Sequence, residues 1–149
     1  MFCVPEITRP GARTNTQPVL TVTVLFTDVP HTLEALRQAA LLGSSLHASL
    51  RILMPVVVPY PLGLSESPVD SSVLQRRLNT VAEGIAIPTQ INIVHCRDRA
   101  EAVEKCLEPH SIVVVCWRRR WLLDKTARLA ERLTTLGHHV IAARTAKGD

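Results

Sequence analysis

"VTVLFTDVPHTLEALRQAALLGSSLHASLRILMPVVVPYPLG", residues 22–63, decides the fold. With Val19–Thr21 it opens as "VLTVTVLF", a β-branched and apolar run that reads as a buried strand. "TDVPHT" (27–32) closes the run as a turn. Thr32 is placed to cap a helix over 32–47, with Glu34 in its first turn and Ala35, Ala39, Leu42 and Leu46 at helical spacing. "SLRILMPVVV" (49–58) is a second apolar strand. Pro55 marks the expected end of its ladder, because Pro cannot donate in a central strand. One β-α-β unit is therefore written in 42 residues.

The same alternation continues downstream. Ser67, Pro68 and Asp70 form a helix-start signature, and Leu74, Leu78, Val81 and Ile85 supply the buried stripe. "IPTQINIVHC" (87–96) alternates Ile87, Thr89, Ile91 and Ile93 on one face and gives a third strand. Asp98 with Glu101 resembles a capping box opening a short helix that Pro109 ends. "SIVVVC" (111–116) is short and wholly apolar, as a strand covered on both faces should be. Leu122, Thr126, Leu129, Leu133 and Leu136 give the fourth helix a stripe, Gly137 sits at its C-cap, and "HHVIAAR" (138–144) is the fifth strand.

Strict β-α-β-α-β-α-β-α-β order implies right-handed crossovers and a doubly wound parallel sheet with helices on both faces. Ligands of such sheets bind beyond the carboxyl ends of the strands, where strand order reverses. The loops that matter are then 27–31 and 116–121.

At 149 residues the chain has the length of one domain, and a domain of this size can bury a normal core without metals or disulfides. Residues 1–18 carry Pro5, Pro10, Gly11 and Pro18 with no period, so they read as a flexible tail before a domain over 19–146. Aromatic residues make up only 3%, which leaves packing to Val, Leu, Ile and Ala and singles out Trp117 and Trp121. The net charge of +4 is the balance of 17 basic residues, fourteen of them arginines and mostly scattered, against 13 acidic ones, and does not mark a nucleic-acid binder. No run of eighteen apolar residues and no secretory leader is present, so the expectation is a cytoplasmic protein with no membrane partner. Cys96, Cys106 and Cys116 lie in or beside apolar segments, without zinc-finger spacing.

Residues 22–63 are similar to the first β-α-β unit of universal stress proteins, and "SIVVVCWRRRWLLDKTARLAERLTTLGHHVIAAR" (111–144) resembles the family's closing unit. The resemblance spans 19–144. It implies five parallel strands in the order 3-2-1-4-5 and a homodimer formed through the last strand, residues 139–143. With that order, strands three and four are three spacings apart, so Cys96 and Cys116 stand roughly 14 Å from one another and share no metal or disulfide.

Family members that bind ATP carry G-x2-G-x9-G-[ST] after the fourth strand, since glycines let backbone N–H groups approach phosphate. The corresponding positions here are Cys116, Arg119 and Leu129. Ala127 and Arg128 are the nearest equivalents of the final pair, in a loop about two residues shorter. Alignment through "HTLEAL" puts Thr27 at the family's acidic position, and a one-residue slip restores Asp28. The candidate cleft or interaction residues are thus Thr27, Asp28, Cys116, Trp117, Arg118, Arg119 and Arg120.

Arginine can bind phosphate through its side chain and can stack on an aromatic face. The 117–121 loop is open to three readings: a solvated turn, contact with a protein partner, or an anionic ligand. No nucleophile–base pair, metal motif or Walker sequence is visible, so no catalytic or metal residue is assigned. The expectation is a non-catalytic, dimeric, stress-related interaction domain without a cofactor. The alternative is a nucleotide domain holding ATP or AMP in an altered, Arg-rich pocket, and a third class is an enzyme of the related adenine nucleotide α-hydrolase group.

Overall fold

The computed structural model describes residues 4–8 as backbone, and 20–64, 71–117 and 125–143. Ten elements follow in order: β1 (Val4–Thr8), β2 (Thr21–Leu25), α1 (Val29–Leu46), β3 (Ser49–Val57), α2 (Ser71–Glu83), β4 (Thr89–Cys96), α3 (Arg99–Cys106), β5 (Ile112–Val115), α4 (Lys125–Thr135) and β6 (His139–Ala142). The sheet order is β1-β4-β3-β2-β5-β6. Strands β2 to β6 are all parallel and realise the expected 3-2-1-4-5 arrangement.

The sixth strand corrects the reading of the N-terminus. Val4–Thr8 lies antiparallel along the outer edge of β4, from Val4 opposite His95 to Thr8 opposite Ile91. A segment without a period of its own becomes a strand because β4 offers an unpaired row of backbone groups, and covering it blunts a sheet edge. Pro5 is tolerated there because an edge strand can present its missing donor outward.

Each face of the sheet carries its own core. On one, Val22, Val24, Leu50, Ile52, Ile91 and Ile93 pack against Ala35, Leu36 and Ala39 of α1 and Leu78 of α2. On the other, Leu25, Leu53, Val94, Val113 and Val115 pack against Ala102 and Val103 of α3 and Leu129 and Leu133 of α4. Alternate strand residues serve opposite faces, which is why these strands read as nearly continuous apolar runs. Truncating Leu36 or Leu133, both fully buried, to Ala would cost roughly 2–5 kcal/mol.

Three local expectations shift. Helix α1 begins at Val29, capped by Asp28 with Pro30 in the first turn, so Thr32 is not the cap. Its buried side is Thr32, Ala35, Leu36, Ala39 and Gly43, while Leu46 is exposed. Gly43 allows the helix to close on the sheet: a Cβ there would stand 3.3 Å from the Ile87 side chain. Strand β3 continues past Pro55, pairing with β4 as far as Val57 opposite Cys96. Backbone groups alternate sides along a strand, and Leu53 accepts from the Phe26 amide on the β2 side. Pro55 faces that same side, beyond the end of β2, so its missing N–H costs no ladder bond.

At the end of α4, Gly137 takes φ +99. The His138 amide donates to Leu133 and the Gly137 amide to Thr134, which is a Schellman closure. Leu136 falls in this turn and is exposed, so the α4 stripe stops at Leu133. The start signature expected at 67–70, along with Leu122, lies outside the described residues.

Candidate functional site

The loop after β2 is fixed by three side chains. Asp28 accepts from the His31 amide at 2.9 Å and from His31 Nδ1 at 2.7 Å, closing the first turn of α1. Thr32, fully buried, turns its Oγ1 back to accept from the Thr27 amide at 3.1 Å. The Thr27 hydroxyl donates to the Cys116 carbonyl at 2.7 Å, which joins this loop to the one after β5.

These two loops bound a cleft of about 340 Å³. Phe26, Thr27 and Asp28 form one side, Met54 and Pro55 in the last part of β3 another, and Arg99 of α3, Trp117 and Thr126 of α4 complete it. Trp117 is half-buried against the core that contains Leu129 and Leu133, and it also lines the cleft. The cleft lies beyond the carboxyl ends of the neighbouring strands β2 and β5, at the reversal of strand order.

Of the sequence candidates, Thr27, Asp28 and Trp117 meet here. Cys116 does not line the cleft: its side chain is buried in the core on the α1 face. Burial, and secondarily the carboxylates of Glu34 and Asp28, push its thiol pKa above the ordinary value, so the thiol stays protonated and poorly nucleophilic. Arg118, Arg119, Arg120 and Trp121 lie outside the described residues.

Arg99 escaped the sequence reading. It opens α3 beside the cap Asp98, whose carboxylate accepts from the Glu101 amide at 3.2 Å. Its guanidinium reaches Phe26 O and Thr126 Oγ1, each at 3.4 Å, across the mouth of the sheet. No local signal in the sequence marked it, because its contacts come from the ends of other elements, Phe26 after β2 and Thr126 in α4.

Among the described residues, no group of three or more His, Cys, Asp or Glu could hold a metal ion, and no helix is long and apolar enough to cross a membrane. Among the described residues, Cys96, Cys106 and Cys116 form no disulfide with one another. His138 is buried and its Nδ1 accepts from the Ser111 amide, while His139 is exposed.

Two solved structures match this architecture over nearly their whole length. A universal stress protein from Archaeoglobus fulgidus superposes with a TM-score of 0.58 at 11% identity, covering 84% of this chain and 93% of that one. The fold is that of the universal stress proteins. A universal stress protein structure from Archaeoglobus fulgidus in complex with dAMP gives 0.57 at 10% identity, covering 85% of this chain and 98% of that one. Neither a protein-family model nor a curated protein sequence matches the chain. The universal stress protein fold therefore rests on the arrangement of elements, which the sheet order and the two helix layers carry.

Proposed function

We propose that this chain is a non-catalytic binding domain that holds an adenine nucleotide in the cleft between the loops after β2 and β5. One observation carries the proposal: Trp117 walls the cleft and does not fill it. A volume of about 340 Å³ falls within the range of small-molecule sites, roughly 300–1,000 Å³. Trp117 offers a face on which a base can stack, and Thr27 and Asp28 supply oxygen acceptors for sugar hydroxyls. The dAMP complex of a structure with the same fold supports the same ligand class. Binding in this reading runs through side chains, because the sequence carries Cys116 and Arg119 at the positions that align with glycines of the ATP motif.

The experiment is a thermal melt of the purified chain with ATP, AMP and cyclic nucleotides, paired with extraction of co-purifying nucleotide. Ligand at one hundred times its Kd stabilises by about 2.7 kcal/mol, a readily measured shift. A flat response to all of them, with no nucleotide extracted, would rule the reading out.

A second reading concerns assembly. Among the described strands nothing pairs with the outer edge of β6, and Ile141 on that strand is exposed. We propose that a second copy pairs there through residues 139–143. Light scattering tests this: a dimer that Ile141→Lys converts to monomer supports it, and a monomeric wild type at about 100 μM excludes it.

A further inference from the structure

The backbone of β4 has a fixed parity. Pro88 accepts from the Leu50 amide at 3.0 Å and Cys96 from the Val58 amide at 2.8 Å, so even-numbered residues of this stretch turn their backbone groups toward β3. Those groups alternate sides along a strand, so Ile91, Ile93 and His95 turn theirs outward. They are the residues opposite Thr8, Glu6 and Val4. Directly opposite residues whose backbones face one another exchange both hydrogen bonds, so Val4, Glu6 and Thr8 face β4 while Pro5 and Ile7 face away. The one residue of β1 without an amide donor thus falls on the side that a further strand would use.

The row that β1 covers would suit a second copy of itself. Strand β4, "TQINIVHC", contains no Lys, Arg, Asp, Glu or Pro, the residues that protect an open edge. Turned about a two-fold axis at Ile93, another β4 edge sets Ile93 opposite Ile93 and Ile91 opposite His95. The outward backbone groups of all three residues then find partners, as they do against β1.

We infer that Val4–Thr8 is a cap that closes the β4 edge against a second copy of this chain, and that its release lets two β4 edges pair antiparallel about Ile93. Pro5 makes the cap terminal, because a strand adding beyond β1 meets a broken row of donors. The inference stands apart from pairing at β6, which concerns the opposite edge of the sheet.

Two proline substitutions in the full-length chain test it. Glu6→Pro removes a donor that faces β4 and should release β1, whereas Ile7→Pro removes one that faces away and should not. In dilute Glu6→Pro, amide hydrogen exchange at Ile91, Ile93 and His95 should be roughly tenfold faster or more than in wild type, while Asn92 and Val94, which face β3, keep their protection. At raised concentration, light scattering should show Glu6→Pro doubling in mass relative to wild type, and Ile7→Pro should match wild type in both measurements. Adding Ile141→Lys to Glu6→Pro should leave this association intact. Protection at Ile93 that survives Glu6→Pro, or that is lost equally in Ile7→Pro, would overturn the pairing. Exposed amides without any gain in mass would overturn the capping role, and so would an association that Ile141→Lys abolishes, since it would then run through β6. If Glu6→Pro fails to fold, wild type alone decides: its Ile91, Ile93 and His95 amides should be protected, and free exchange there refutes the cap. A monomeric wild type, by contrast, excludes the β6 dimer and agrees with a closed β4 edge.

Discussion

The hydroxyl of Thr27 donates to the carbonyl of Cys116 across the mouth of the sheet, at 2.7 Å. These residues are far apart in sequence, and each ends the loop-side run of a central strand. The bond ties together the two loops that flank the cleft. Thr32 supports the same loop from below by accepting from the Thr27 amide.

Replacing Thr27 with Val should therefore cost about 1 kcal/mol of stability, the net worth of an ordinary hydrogen bond, while Thr27→Ser should retain most of it. Urea denaturation of the three proteins measures this. A Val variant as stable as wild type would show that the loops are held by other contacts.

Thr32→Val should cost more, about 1–3 kcal/mol, because it leaves the Thr27 amide without its acceptor inside the fold. The shape of the side chain is kept, so the loss reports the hydrogen bond and not a cavity. Amide hydrogen exchange at Thr27 should accelerate in the variant, and unchanged protection would contradict the assignment.

At the start of α1, Asp28→Ala should destabilise by about 1 kcal/mol and Asp28→Asn by much less, since Asn caps about as well. Were Thr32 the cap, as expected from the sequence, Asp28→Ala and Asp28→Asn would both be close to neutral. The same denaturation series distinguishes the two.

Cys116 provides a pH dependence with a definite sign. Its folded pKa is raised, chiefly by burial, so the unfolded thiol ionises first, near the ordinary value of about 8.5. The associated stability is fully present below that pH and is lost as pH rises toward the folded pKa. Stability of wild type relative to Cys116→Ala should decline from about pH 8.5 upward, and parallel profiles would exclude the effect. In the native protein at neutral pH, iodoacetamide should label the less buried Cys106 before Cys116.

Much of the fold was legible because β2, β3, β4 and β5 bury alternate residues on both faces and so announce themselves as apolar runs. The helix caps at Asp98 and Gly137 were legible for a local reason: each is one side chain or one φ value acting on its own helix. "TDVPH" misled because Asp28 and Thr32 can both cap, and only Pro30, which suits the first turn after Asp28, separates them. Val4–Thr8 could not be read locally at all, since its partner β4 is remote in sequence. The cleft was legible by position but not by membership. Thr27, Asp28 and Trp117 adjoin the loops that strand order selects, whereas Met54, Arg99 and Thr126 arrive from other elements and only the assembled sheet brings them together.

The account rests most directly on where AMP binds. Backbone and indole NMR shifts recorded while AMP is titrated into the wild-type chain locate it. The largest changes should fall on Thr27, Asp28, Arg99, the Trp117 indole and Thr126, and should saturate with a single Kd. Shifts that stay flat at millimolar AMP, or that cluster away from the carboxyl ends of β2 and β5, would contradict it.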